Sequence, residues 1–320
     1  MRSPRERGAT GSGGEPRAAL DPASGRAATN DRRLEALGFT DVPAERPLSY
    51  PGRPVTEPSL LTGPELLPLR VGTGRLGGWR VVDAYGPYAP AAAREPALDE
   101  ALAALGAPPC GERRPVLAVG SNASPAQLRH KLTRCARSAV VPLVPVRVRG
   151  VSVGCSAHIG VNGYVAAAPF AAPEAVSTLV LGWLDAGQLA AVDATEHNYR
   201  RVLLPGDAFP VELPSGERLD GAYLYVSRHG VLADPADPGR PRPAGGQRAL
   251  LASLLAASPA LRALLGADPE SWVARARADE AVRAAGKRIF GELGWTLPVR
   301  GFPGATAPPS GQSSHIGNLP

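Results

Sequence analysis

From residue 115 to residue 226 the chain is written mainly in apolar runs of strand length, each stopped by Gly, Pro or a charged turn. A Pro-rich loop at 234–243 ends this pattern, and amphipathic helical spacing takes over. Short strands followed by helices predict an α+β fold and argue against a doubly wound parallel sheet. The predicted strands are 140–153, 176–184, 199–204, 209–213 and 222–226, with 163–168 too Ala-rich to assign alone. Helices are predicted at 124–135, 185–196, 249–257, 261–265 and 271–290.

The flanks have a different texture. The 37 Gly and 35 Pro of this 320-residue chain concentrate in the tails and linkers, so 1–30 and 301–320 are expected to be disordered. Residues 31–112 form an N-terminal extension of unassigned function. Its short apolar pieces at 66–71 and 79–82 are broken by Pro and Gly, and an Ala- and Leu-rich helix is expected over 90–105. It either packs on the main domain, 113–300, or serves as an arm for a protein partner.

A net charge of +6 raises the question of an anionic partner. Of 35 basic residues only Lys131 and Lys287 are lysines, and the arginines are scattered singly without interleaved aromatics. No nucleic-acid partner is therefore expected. Cys110, Cys135 and Cys155 form no CxxC pair, so neither a zinc site nor a disulfide framework is indicated. The first residues lack the apolar stretch of a signal peptide, and no run approaches the ~20 apolar residues of a membrane span. The expected compartment is the cytoplasm, with no membrane partner.

Two features can carry chemistry. Gly120-Ser121-Asn122 lies where the apolar run Val116-Leu117-Ala118-Val119 meets a helix opened by Ser124-Pro125. Glycine permits close backbone approach, amides leading into a helix favour anions, and Ser and Asn add side-chain donors. An ordinary loop with an N-cap accounts for the same residues. Neither the Lys-Ser/Thr ending of a P-loop nor a GxSxG elbow is present. The second feature is Glu196, a carboxylate at a helix end where the helix dipole disfavours it. It is either a solvated turn residue neutralised by Arg200 or Arg201, or a general base at the rim of a sheet.

The order of these pieces resembles the γ-glutamylcyclotransferase family, whose strand-loop signature is Tyr-Gly-Ser-Asn and whose catalytic acid follows a Leu-Asp-x-x-Glu-like helix end. Here the first reads Val119-Gly120-Ser121-Asn122. The second reads Val192-Asp193-Ala194-Thr195-Glu196, followed by Tyr199-Arg200-Arg201-Val202. Arg147-Val148-Arg149-Gly150-Val151, Tyr164-Val165-Ala166-Ala167-Ala168-Pro169 and Leu181-Gly182-Trp183-Leu184 are similar to the family's intervening strands. The resemblance spans about 115–226, and departs from the pattern at Val119, which replaces a Tyr, and at His197, which replaces a Gly.

The resemblance implies a small mixed β-barrel with flanking helices, in which Gly120, Ser121, Asn122 and Tyr199 bind the amino-acid end of a γ-glutamyl substrate. Glu196 would act as general acid/base while the α-amine attacks its own γ-carbonyl, releasing 5-oxoproline. It implies no metal, nucleotide or redox cofactor. The alternative is a non-catalytic module of the same fold that binds an amino-acid-like ligand or a protein partner.

Competing sites are weaker. Cys155 and His158, three apart on a strand, would face opposite ways, so Cys155 reads as a packed thiol. Asp193, Glu196 and His197 lack a matched fourth metal ligand. His130 and His229 read as surface residues, and Trp183 and Tyr223 as packing or barrel-lining residues.

Overall fold

Strict alternation governs the strands, because successive side chains leave a sheet on opposite faces. The computed structural model describes residues 31–82 and 95–303, and everything below belongs to the unit that begins at Arg32. The expectations for the tail 1–30, for 304–320 and for the start of the 90–105 helix lie outside the described residues.

The N-terminal segment forms strands β1 (Ser59–Thr62), β2 (Glu65–Arg70) and β3 (Arg80–Val81), then helix α1 (Leu98–Ala104). Next come β4 (Arg114–Ala118), α2 (Pro125–Arg134), β5 (Val140–Cys155), β6 (Ala167–Leu184), α3 (Ala186–Asp193), β7 (Tyr199–Pro205), β8 (Val211–Glu212) and β9 (Gly221–Ser227). All nine strands join one mixed sheet of order β3-β2-β1-β5-β6-β4-β9-β7, with β8 added to β5. Among the described pairs only β4 and β9 run parallel, at Val116 opposite Tyr223 and Leu117 opposite Leu224.

The sheet is covered on both faces, which explains its continuous apolar runs. Leu60, Leu67, Leu117, Val146, Leu181, Trp183 and Leu224 enter one core. Their strand neighbours Leu61, Leu66, Val116, Val180, Leu184 and Tyr225 enter the other, beneath α2 and α3. The pieces at 163–168 and 176–184 are not two strands. From Ala167 onward they belong to the single 18-residue β6, paired along most of β5. At Gly150 (φ +83°) the ladder is interrupted, and residues 172–175 of β6 bulge out opposite that one position. The Phe209 ring would lie 3.2 Å from a Cβ added there.

Among the described strands the expected small mixed β-barrel is not closed by hydrogen bonds. The hydrogen-bonded path among the described strands is open, with β3 and β7 at its ends. The chain leaving β7 nevertheless returns through β8 to pair with β5, at Arg147 opposite Glu212 and Val148 opposite Val211. The sheet thus curls back on itself, and a covalent connection spans the gap where a β7–β8 ladder would close it.

A smaller sheet, β10 (Val231–Asp234), β11 (Asp237–Pro241) and β12 (Thr296–Leu297), packs with helices α4 (Gln247–Ala257), α5 (Pro259–Leu265), α6 (Pro269–Ala278) and α7 (Glu280–Glu292) around Trp272, Phe290 and Trp295. The helix predicted over 271–290 is two helices, because Asp279 caps α7 by accepting the Ala281 N–H at 2.7 Å. Among the described residues no single helix is long and apolar enough to cross a membrane.

One buried cation locks the sheet to α3. Arg113 donates to the carbonyls of Pro108 (2.9 Å), Val140 (3.0 Å) and Trp183 (3.2 Å) and to Gln188 Oε1 (3.2 Å). Gln188 in turn donates to the Ser138 carbonyl at 2.8 Å and reciprocally caps α3 with Asp185. Burial lowers the pKa of Arg113 below the usual guanidinium range, while Asp185 opposes that shift. Replacing Arg113 with Met leaves buried carbonyls without their donor. Arg113→Met is expected to lower unfolding free energy by at least about 2 kcal/mol, read as a lower urea midpoint at unchanged slope. A loss below about 0.5 kcal/mol would mean that other donors satisfy these carbonyls.

Candidate active site

The turn after β4 is built by close approach rather than by unusual dihedrals. Gly120 has negative φ, yet a Cβ there would overlap the Tyr50 hydroxyl and lie 3.3 Å from the Ala167 Cβ. A single 3-10 turn, Ser121–Ala123, follows; Ser124 then caps α2 with Pro125 in its first turn, as the sequence predicts. Asn122 is thereby placed about two and a half helical turns from Lys131 in sequence, and the chain folds the two side chains together.

Glu196 sits in the turn that ends α3, held by its N–H on Asp193 O (3.1 Å) and by the Tyr199 N–H on its own carbonyl (2.8 Å). Its Oε1 accepts Lys131 Nζ at 2.6 Å and Asn122 Nδ2 at 3.1 Å, and Lys131 also donates to Asn122 Oδ1 at 2.8 Å. These three side chains close a triangle. Oε2 has no protein partner among the described residues. The Lys131 and Glu196 side chains are 13% and 14% exposed, so their ion pair is largely removed from water.

The neutralising partner is thus Lys131, a residue the sequence reading did not single out. Arg201 instead pairs with Asp193 at 3.0 Å and lies over the Tyr223 ring. Asp193 also accepts the Tyr225 hydroxyl at 2.7 Å, which makes it a structural acceptor. No group of His, Cys, Asp and Glu among the described residues could hold a metal ion.

The sequence-selected residues Gly120, Ser121, Asn122, Glu196 and Tyr199 all line one cavity of about 740 Å³, within the size range of small-molecule sites. Tyr50, Lys131, His158 and Tyr164 share its wall, and His130, Arg134 and Arg277 line it with them. Tyr50 comes from the N-terminal segment and stacks on Tyr164 with ring centroids 4.3 Å apart. Nothing in its local sequence marks it; only the fold carries it to Gly120. Val119 packs beside Tyr50, so a ring and hydroxyl reach this wall from another part of the chain.

Tyr50 and Tyr199 both hydrogen-bond to Ala167. The Ala167 N–H donates to Tyr50 Oη at 2.8 Å, and Tyr199 Oη donates to the Ala167 carbonyl at 2.9 Å. Burial, first, and neighbouring negative or phenolic groups, second, raise both pKa values above the ordinary tyrosine value, so both remain neutral phenols.

His229 is not a surface residue. It is half-buried, bonded through Nε2 to Asn198 Oδ1 at 2.8 Å, with its ring 4.5 Å from His158. His130 is also half-buried, 3.3 Å from Glu45. His158 is buried after the end of β5, its Nδ1 2.6 Å from Ser156 Oγ, which lies 2.7 Å from Ser227 Oγ. Cys155 is a packed thiol, its pKa pushed up to about 12 by burial. Trp183 is a core residue, and Tyr223 packs under Arg201; neither lines the cavity.

Two measurements probe this arrangement. Lys131→Met strands a mostly buried carboxylate and is expected to cost about 2 kcal/mol, whereas Lys131→Met combined with Glu196→Gln should recover most of that loss. A double-variant loss equal to the sum of the losses in Lys131→Met and Glu196→Gln alone would show that the ion pair is not coupled. The second concerns pH. Burial, followed by His229 and Lys287, lowers the His158 pKa from 6.5 to about 3. Above 6.5 the ring is neutral folded or unfolded and contributes nothing. Between 6.5 and about 3 only the unfolded chain takes the proton, so stability falls with pH by at most about 1.4 kcal/mol per unit from this ring. His158→Gln should flatten that slope in acid denaturation curves.

No protein-family model and no curated protein matches the sequence. Among solved structures, the chain is partly similar to an Arabidopsis thaliana protein solved in solution, at 16% identity over 39% of this chain and 74% of that one, with a TM-score of 0.30. A γ-glutamyl cyclotransferase matches at 16% identity over 37% and 68%, with a TM-score of 0.28. A glutathione-specific γ-glutamyl cyclotransferase from yeast matches at 12% over 52% and 98%, with a TM-score of 0.27.

Proposed function

We propose that this protein cleaves a γ-glutamyl amine or peptide by intramolecular cyclisation, releasing 5-oxoproline and the free amine, with Glu196 as general acid/base. The observation that carries this reading is the Glu196 carboxylate in the cavity wall, one oxygen fixed by Lys131 and Asn122 and the other without a protein partner among the described residues. The motif resemblance over 115–226 supplies the reaction class.

The residues suit the steps. The substrate α-amine enters uncharged, and as it attacks the γ-carbonyl carbon of its own chain Glu196 Oε2 takes a proton from it. Closure is intramolecular, so orientation supplies much of the rate enhancement. Glu196 then returns its proton to the leaving nitrogen. An ammonium has three N–H donors, and Lys131 spends two on Glu196 and Asn122. The third is left for the substrate α-carboxylate, beside the Gly120-Ser121-Asn122 turn. Tyr199 Oη, already a donor to Ala167, offers its lone pairs to an N–H of the α-amine. No metal, nucleotide or redox group takes part in this sequence of steps.

The ion pair itself favours a second reading. A carboxylate bonded by Lys131 at 2.6 Å is also how a binding module would balance its charge around an amino-acid-like ligand. Turnover separates the two. Purified protein is expected to release 5-oxoproline from at least one member of a γ-glutamyl panel. Glu196→Gln should reduce that release at least about 100-fold in protein that is still folded at the assay temperature, its amide oxygen remaining an acceptor for Lys131. Activity surviving the substitution would remove Glu196 as the base; binding without turnover by the unsubstituted protein would favour the module.

A further inference from the structure

Ala167 separates the roles of two phenols. Tyr199 donates its only proton to the Ala167 carbonyl, so toward a ligand it can only accept. Tyr50 is bonded with opposite polarity: its oxygen accepts the Ala167 N–H, and its own O–H finds no acceptor among the described residues. The Tyr50 ring is buried, stacked on Tyr164 and packed with Val119 and Ala166. Its hydroxyl occupies the space that a side chain at position 120 would fill, and Tyr50 lines the cavity with Ser121, Asn122 and Glu196. An unspent O–H on a residue held in that wall is a donor ready for an oxygen that binds beside it.

Tyr50 is also firmly held. Leu48 packs against the core of the C-terminal helices, and the Ala44 N–H donates to Gln127 Oε1 of α2 at 3.1 Å. The stretch that delivers the phenol is thus anchored to two parts of the fold that flank the cavity.

We infer that Tyr50 is a catalytic residue whose hydroxyl stabilises the negative charge on the γ-carbonyl oxygen during ring closure, an assignment that rests on the cyclisation reading above. As the α-amine nitrogen bonds to the γ-carbon, the carbonyl π pair moves onto oxygen, which accepts the Tyr50 O–H. The proton released by the amine goes to Glu196. When the carbonyl re-forms, the bond to the leaving nitrogen breaks, and that nitrogen takes the proton from Glu196. Tyr50 keeps its proton throughout, and nothing is oxidised or reduced. The polarity of the Ala167 contacts excludes Tyr199 from this role, and its raised pKa keeps Tyr50 a donor across the neutral range.

The test compares the unsubstituted protein, Tyr50→Phe, and protein carrying 3,5-difluorotyrosine at position 50. Tyr50→Phe keeps the ring stack and is expected to lower kcat for 5-oxoproline release about 100- to 1000-fold, with KM within about threefold. Difluorotyrosine retains the bond from Ala167 while making the phenol more acidic. It is expected to add an alkaline limb to the kcat profile at the lower phenol pKa, an effect that a purely structural role would not produce. It also reports where Tyr50→Phe fails to fold. A kcat within threefold for Tyr50→Phe, a loss confined to KM, or an unmoved pH profile overturns the assignment and leaves the cyclisation reading standing. An unsubstituted protein silent against the whole panel overturns the cyclisation reading, and the role of Tyr50 falls with it.

Discussion

The place of Glu196 depends on a guanidinium that never touches it. Arg113 gathers carbonyls from the segment before β4, the start of β5 and the end of β6, and bonds to Gln188 in the first turn of α3. That fixes where α3 begins. The helix is eight residues long, and Glu196 follows in the closing turn. A helix is stiff over this length, so anchoring one end sets the other. The cost is a buried positive charge with one nitrogen, Nη2, unpartnered among the described residues. Asp185, next to Gln188, supplies part of the compensating field.

At the far end of α3 the electrostatic sign is reversed. Carbonyls at a helix C-terminus repel a carboxylate, and burial penalises its charge further. Lys131 answers both, and its position on α2 follows from the cap at Ser124. The two helices therefore do complementary work: α3 places the acid, and α2 places the cation that pairs with it at 2.6 Å. Asn122 joins them, donating to one and accepting from the other, so the orientation of its amide is set by the pair.

What was legible in the sequence was local. Ser124-Pro125 announces α2, and the alternation of Val144, Val146 and Val148 with Arg147 and Arg149 announces β5, because capping and period-2 burial act over a few residues. The turn at Gly120 and the acid at Glu196 were found because each sits at such a boundary. Three things were not legible. The Ala-rich stretch before β6 becomes strand only through pairing with β5, a long-range contact with no local signature. Barrel closure depends on whether β7 and β8 hydrogen-bond to each other, which the residue pattern of either strand leaves undetermined. Tyr50 and Lys131 are single residues in unremarkable surroundings, brought to the cavity by topology.

The cavity wall between β5 and β6 shows why the remainder of the chain belongs to the site. Residues 156–166 form no regular strand, so their backbone groups need partners from elsewhere. Gln247 of α4 accepts the Val165 N–H at 2.7 Å and donates to the Val165 carbonyl at 3.0 Å, while Trp272 of α6 donates to the Gly163 carbonyl at 3.0 Å. These bonds fix the backbone on either side of Tyr164, against which Tyr50 stacks, and lead directly into Ala167. A donor aimed at a reacting oxygen is useful only if it is held to a fraction of an ångström. An irregular wall meets that demand through helices clamped on its outer face, and the C-terminal layer supplies the clamp. The N-terminal segment supplies the phenol, the turn that closes α3 supplies the acid, and α2 supplies its cation.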